Sequence, residues 1–258
     1  MTELNDPKAA SGSVHLGPNP GAVAAVFMLL FLASLAPVTL LMSETHFPSP
    51  LQTPGEVVAY FRGDVGARVR LCAFLQFCAA IPLGVFSATM VSRLRFHGSS
   101  AAGPSIAWFG GLAASTAMAI SALIQWSLAQ PGIAEDAALT RGLHFLIFAV
   151  GGPGYTVPLG LLLAGICVPA LVMRLLPRWL AVSGLVLAAI GELSALSLVI
   201  PGALFLIPLT RFPGFIWLIL AGFKLPRERA GHGRSAGIDG PLSPERRVQG
   251  AALLAAPR

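Results

Sequence analysis

The 258-residue sequence predicts an all-α fold: a polytopic membrane helix bundle with six transmembrane helices and one short surface helix. Three observations predict it. Mean hydropathy is +0.76 and only 11% of residues are charged, against roughly 25% in soluble domains. The charges are unevenly spread, absent from long blocks and crowded into short ones. The apolar runs are continuous, which excludes the period-two alternation of a membrane β-barrel.

Residues 1–20 are rich in Gly, Pro, Asn and Ser and read as a disordered lead. The first apolar run, Gly21–Met42, has 22 residues, close to the roughly 20 that one crossing needs. It is too long for a signal-peptide core, and no small-residue cleavage site follows it. After a loop to Gln52, Thr53-Pro54-Gly55-Glu56 predicts a helix start: Thr53 as N-cap, Pro54 at the first helical position and Glu56 completing a capping box. Val57, Val58, Tyr60 and Phe61 give this short helix an apolar face to dip into the membrane surface, and Gly63 ends it. Asp64 is placed to cap the second crossing, which runs to about Met90 and ends in Arg93 and Arg95.

The third crossing covers about Pro104–Leu128, and the loop Ala129–Thr140 carries Glu135 and Asp136. Gly142–Met173 then runs 32 residues without a charge, interrupted by Gly151-Gly152-Pro153-Gly154. One helix over about Ala138–Val172 is expected, broken or bent at Pro153, because proline removes a backbone donor and clashes with the preceding turn. Arg174 and Arg178 flank a short connection. The 45 residues Trp179–Phe223 hold the last two crossings, with a turn at Pro201-Gly202. Residues 224–258 read as a basic, disordered tail.

The net charge of +6 does not indicate nucleic acid as a partner: seven of the 17 Lys/Arg lie after Phe223, in a Gly- and Pro-rich stretch. Basic residues just outside a membrane helix suit cytoplasmic topology and anionic headgroups. The expected partners are therefore the lipid bilayer and, at the C-tail, anionic headgroups. Twelve Lys/Arg fall on the side of the two termini and four on the other, with Arg211 inside the membrane. Both termini are expected to be cytoplasmic and residues 43–68, including the short helix, periplasmic.

Glu192 and Arg211 each stand alone in apolar sequence. Glu192 lies nine residues before Pro201 and Arg211 ten after it, so both are expected roughly 14–15 Å from the turn. An ionisable residue at that depth is a functional-site candidate unless paired. Direct or one-water contact between them is expected, either as an ion pair that locks the last two helices or as a polar site for an ion, proton or anionic ligand. The Gly151–Pro158 stretch, with Tyr155 inside it, is read either as a plain kink or as a break that frees backbone groups for a ligand. His144, near the start of that crossing, is an interfacial histidine or a proton-handling group. Ligand-binding candidates are thus Glu192, Arg211, Tyr155 and His144. Gly110-Gly111 and Ala113–Ala117 make a small-residue surface for close helix packing. Gln125 and Trp126 read as interfacial. Cys72, Cys78 and Cys167 read as packing residues. The histidines show no metal-ligand spacing, and no nucleophile motif occurs; no metal, cofactor or catalytic residue is assigned.

Leu176-Pro177-Arg178-Trp179-Leu180-Ala181 and Phe215-Ile216-Trp217-Leu218-Ile219-Leu220-Ala221-Gly222-Phe223 resemble segments of uncharacterised bacterial six-helix membrane proteins, grouped as a domain of unknown function. The resemblance spans roughly the second to sixth helices. It implies a bacterial inner-membrane location and carries no activity or site residues. Three function classes follow: a protein that binds or moves a small or lipid-like ligand, a structural or regulatory module, and a membrane-embedded enzyme acting on lipid or quinone. For the last, convergent titratable residues are few.

Overall fold

The computed structural model describes residues 15–39 and 47–228. The expectations for residues 1–14, 40–46 and 229–258, including most of both tails, lie outside the described residues. Residues 15–227 form one compact unit with eight α-helices among the described residues: α1 Pro20–Thr39, α2 Pro54–Arg62, α3 Gly66–Phe96, α4 Gly103–Leu128, α5 Ala137–Gly151, α6 Pro153–Val172, α7 Arg178–Leu193 and α8 Leu206–Lys224. The chain is an all-α bundle. Six stretches are long and apolar enough to cross a membrane, α5 and α6 together forming the fourth. It is a multi-pass membrane protein.

The packing explains why the sequence is apolar all round its helices. One side of each helix is buried: Phe27, Leu83, Phe86, Tyr155, Leu159, Leu162 and Phe215 meet in the main core. The opposite sides are apolar as well, with Leu29, Phe74, Ile81 and Phe109 exposed, as lipid-facing surfaces require. α4 packs tightly between α3 and α6, and α1 between α3 and α8. The small-residue surface of α4 is shared between two seams: Gly110 faces α6, and Gly111 and Ser115 face α3. A Cβ on Gly110 would sit 2.5 Å from the Leu162 nitrogen and 2.6 Å from the Pro158 oxygen, and one on Gly165 would sit 2.7 Å from the Gly103 oxygen. These contacts are backbone against backbone, the close approach that small residues permit.

α2 has the expected capping box. The Thr53 hydroxyl accepts from the Glu56 N–H (3.5 Å), and the Glu56 carboxylate accepts from the Thr53 N–H (2.9 Å). That acceptor role holds the Glu56 carboxyl below the ordinary glutamate range. The apolar face of α2 is turned onto the bundle rather than only into the membrane surface: Val57, Tyr60 and Phe61 pack in a second core with Val38, Val69, Leu128 and Ile147. Thr53→Ala removes the N-cap acceptor. Amide exchange over residues 54–62, measured by mass spectrometry, is expected to accelerate roughly fivefold, with little change in α4.

Several boundaries differ from the sequence reading. α3 continues to Phe96, about two turns beyond Met90, and begins from Val65 without a side-chain cap. Asp64 does not cap it, because Gly63 to Val65 form their own turn, closed by a Val65 N–H to Gly63 oxygen bond of 2.8 Å. Asp136 caps α5 instead, accepting from the Ala138 and Leu139 N–H groups at 2.9 and 3.0 Å. His15 is hydrogen-bonded to Ser92, so the last residues of the expected lead are tied to the bundle. The connection between α7 and α8 is not a single Pro-Gly turn: 3₁₀ segments Ser194–Leu198 and Pro201–Phe205 occupy it.

Candidate functional site

The break in the fourth crossing is real. α5 stops at Gly151, Gly152 leaves helical geometry at φ −88°, ψ −105°, and Pro153 opens α6 at its first position. In a continuous helix the Gly151 carbonyl would accept from the N–H of Tyr155. Here that N–H bonds to Gly152, which frees the Gly151 carbonyl. Arg211 of α8 fills the gap, donating from its NH2 nitrogen to the Gly151 oxygen. A cation at the carbonyl end of a helix is electrostatically favoured. Two residues singled out separately in the sequence, the α5–α6 break and the lone arginine, therefore meet.

The guanidinium is also sandwiched by rings. Its central carbon lies 4.8 Å from the centre of the Tyr155 ring and 5.4 Å from that of Phe31, within the range of cation–π attraction. Its Nε has no partner, and neither does the hydroxyl of the fully buried Tyr155. Both residues line a cavity of about 360 Å³ with Phe31, Gln125, Ile147 and Phe212. The walls are mostly apolar, the polar groups are few, and none of the described lining residues carries a carboxylate. The volume is in the range of small-molecule sites.

The other two candidates lie elsewhere. Glu192 is exposed, and its carboxylate runs along α6 close to where a Cβ on Gly160 would stand, at 3.1 Å. The expected contact with Arg211 is not formed. Depth matching across the hairpin nonetheless holds, because Gly191 faces Thr210, with 3.2 Å from a Gly191 Cβ to Thr210 Cγ2. Glu192 and Arg211 are the next residues along, each rotated about 100° round its helix. That rotation carries both off the α7–α8 seam. Arg211 turns toward α1 and α6, and Glu192 toward the outside. His144 is buried and does not line the cavity. Its Nε2 is 3.0 Å from the Pro48 oxygen, within rings from Phe47, Phe61 and Phe148. It anchors the segment whose Phe47, Ser49 and Pro50 form one wall of the cavity, so it is a positioning residue.

Gln125 is the residue the sequence reading placed wrongly. It is 3% exposed, lines the cavity, and donates to Cys72 Sγ at 3.2 Å. The signal was present: Ser121 and Gln125 are four apart and so share one face of α4, whereas Trp126, 49% exposed, faces outward. Ser121 also lines the cavity and donates to the Ile147 carbonyl at 3.2 Å, holding α5 near its broken end. Among the described residues no three His, Cys, Asp or Glu side chains converge as a metal site.

The arrangement offers one fixed positive charge, a phenol and the amides of Gln76 and Gln125 at the edge of an apolar space. It can bind an acidic or strongly accepting group while surrounding the attached apolar part. Comparison with family models, curated proteins and solved structures gives no significant match.

Proposed function

We propose that this is a binding protein of the bacterial inner membrane, with both termini cytoplasmic, that takes a small amphiphile with an acidic head into the cavity at Arg211. The observation that carries the reading is that Arg211 Nε and the Tyr155 hydroxyl are both buried without a partner, on two residues lining a mostly apolar cavity whose described residues include no carboxylate. Buried polar groups in native proteins are ordinarily satisfied, and a carboxylate or phosphate ester would satisfy both. A second reading rests on the Arg211 bond to Gly151: Arg211 as a structural clamp on the broken helix, in a module without a ligand.

Decanoate and its methyl ester test the acidic head. Added to the full-length protein in a maltoside detergent, decanoate is expected to raise the thermal unfolding midpoint with saturation. Ligand at tenfold over its dissociation constant contributes about 1.4 kcal/mol. The ester, equally apolar but uncharged, is expected to give less than a tenth of that affinity. Equal shifts from acid and ester would remove the role given to the Arg211 charge.

A further inference from the structure

A second cationic cluster lies at the other end of the bundle, where the described chain begins and ends. It is built from three segments: the last turns of α3, the residues before α1, and the residues after α8. Arg93 is only 1% exposed. Its NH1 nitrogen donates to the Leu225 carbonyl at 3.1 Å, while its Nε and NH2 have no partner. His97, one turn on, contacts the Pro226 carbonyl at 3.0 Å. His15 reaches Ser92 Oγ at 2.9 Å through Nε2 and donates its backbone N–H to the Arg227 carbonyl at 2.9 Å. Its Nδ1 is buried without a partner, as is the Ser99 hydroxyl.

Among the described residues, the charges that act on His15 and Arg93 are basic. Partial burial first, and then the charges of Arg93, His97 and Arg227, hold the His15 imidazole below the ordinary histidine range. The charge acting on Arg93 is that of Arg227. A buried guanidinium with free N–H donors and a second arginine near it is costly unless an anion completes it. Water would satisfy the donors but not the charge. A phosphate offers several acceptor oxygens and suits the fork of an arginine. The position, at the terminal turns of α3 and α8, is the level at which lipid phosphates meet a bundle.

We propose that Arg93, with His15, His97 and Arg227 around it, forms a phosphate-binding site that joins the residues before α1 and after α8 to α3. The site is independent of the Arg211 cavity and stands whether or not that cavity holds a ligand. Its phosphate comes from an anionic lipid headgroup or from solution, and the test separates the two.

The full-length protein is reconstituted in nanodiscs of phosphatidylcholine with increasing phosphatidylglycerol, and its thermal unfolding midpoint is followed. In parallel, inorganic phosphate is titrated in detergent against chloride at equal ionic strength. A saturable rise with phosphatidylglycerol, half-reached at a mole fraction about tenfold or more higher in Arg93→Gln, supports the site with a lipid source. The same pattern with inorganic phosphate supports it with a free-phosphate source. Arg246→Gln with Arg247→Gln, in the distal basic tail, is expected to leave the half-saturation point unchanged. Should Arg93→Gln not fold, Arg227→Gln with His97→Gln carries the test and is expected to weaken the response at least threefold. No saturable response to either phosphate source, or a response untouched by these cluster substitutions, overturns the proposal.

Discussion

Gly110→Val is expected to abolish or severely reduce folded protein. A Cβ at this position falls 2.5 Å from the Leu162 nitrogen and 2.6 Å from the Pro158 oxygen. Neither is a side-chain end that can swing away; both belong to the backbone of α6. Even one methyl group requires α4 and α6 to separate, and valine adds two more carbons. Separation would break the neighbouring contact of Gly165 with Gly103 and Ala107, and would loosen Leu162 and Leu163, both fully buried. Overpacking typically costs about 1–3 kcal/mol, and a rigid backbone partner puts this site at the upper end or beyond. The expected fall in the thermal midpoint in detergent is roughly 10 °C at 3 kcal/mol. Gly142→Ala is the control. Gly142 lies inside α5 and a Cβ there meets nothing within 4 Å, so alanine is expected to be neutral or to stabilise by up to about 1 kcal/mol. Similar losses in both variants would mean that the α4–α6 seam is not the tight contact described.

The legible parts of this fold were those written in run length and punctuation. Continuous apolar stretches gave six crossings, Thr53 and Glu56 gave the start of α2, and Pro153 gave the break between α5 and α6. These are local effects, decided within a turn or two of chain. The site needed azimuth as well as depth. Counting residues from Pro201 put Glu192 and Arg211 at matching levels, and the facing of Gly191 and Thr210 bears that out. Which way each side chain points depends on where α-geometry yields to 3₁₀ geometry, after Leu193 and before Leu206. No spacing rule supplied that. The same gap placed Gln125 at an interface rather than in the cavity, and left Arg93 as a helix-end charge when the segments on either side of the bundle close over it. The partner of Arg211 was also hidden, because it is the Gly151 carbonyl, freed by the helix break 60 residues earlier in the chain, where the Tyr155 N–H turns to Gly152.

Arg211→Met, read for both stability and ligand binding, is the measurement that bears most directly on the central claim. Methionine keeps the length and apolar stem and removes the charge. Two effects on stability oppose each other. The Gly151 carbonyl loses its donor, a loss of about 1–3 kcal/mol. A desolvated guanidinium with no carboxylate among the described residues of the cavity wall is removed, a relief of similar size. The unfolding midpoint is therefore expected to stay within about 1 kcal/mol of wild type. Decanoate binding has no such compensation and is expected to weaken at least thirtyfold, as for a lost buried charge contact. Glu192→Gln, exposed and off the cavity, is expected to change neither readout. A loss of more than about 3 kcal/mol in Arg211→Met, with decanoate affinity unchanged in the protein that still folds, would contradict the account and make Arg211 a clamp on the broken helix instead of the residue that receives a ligand.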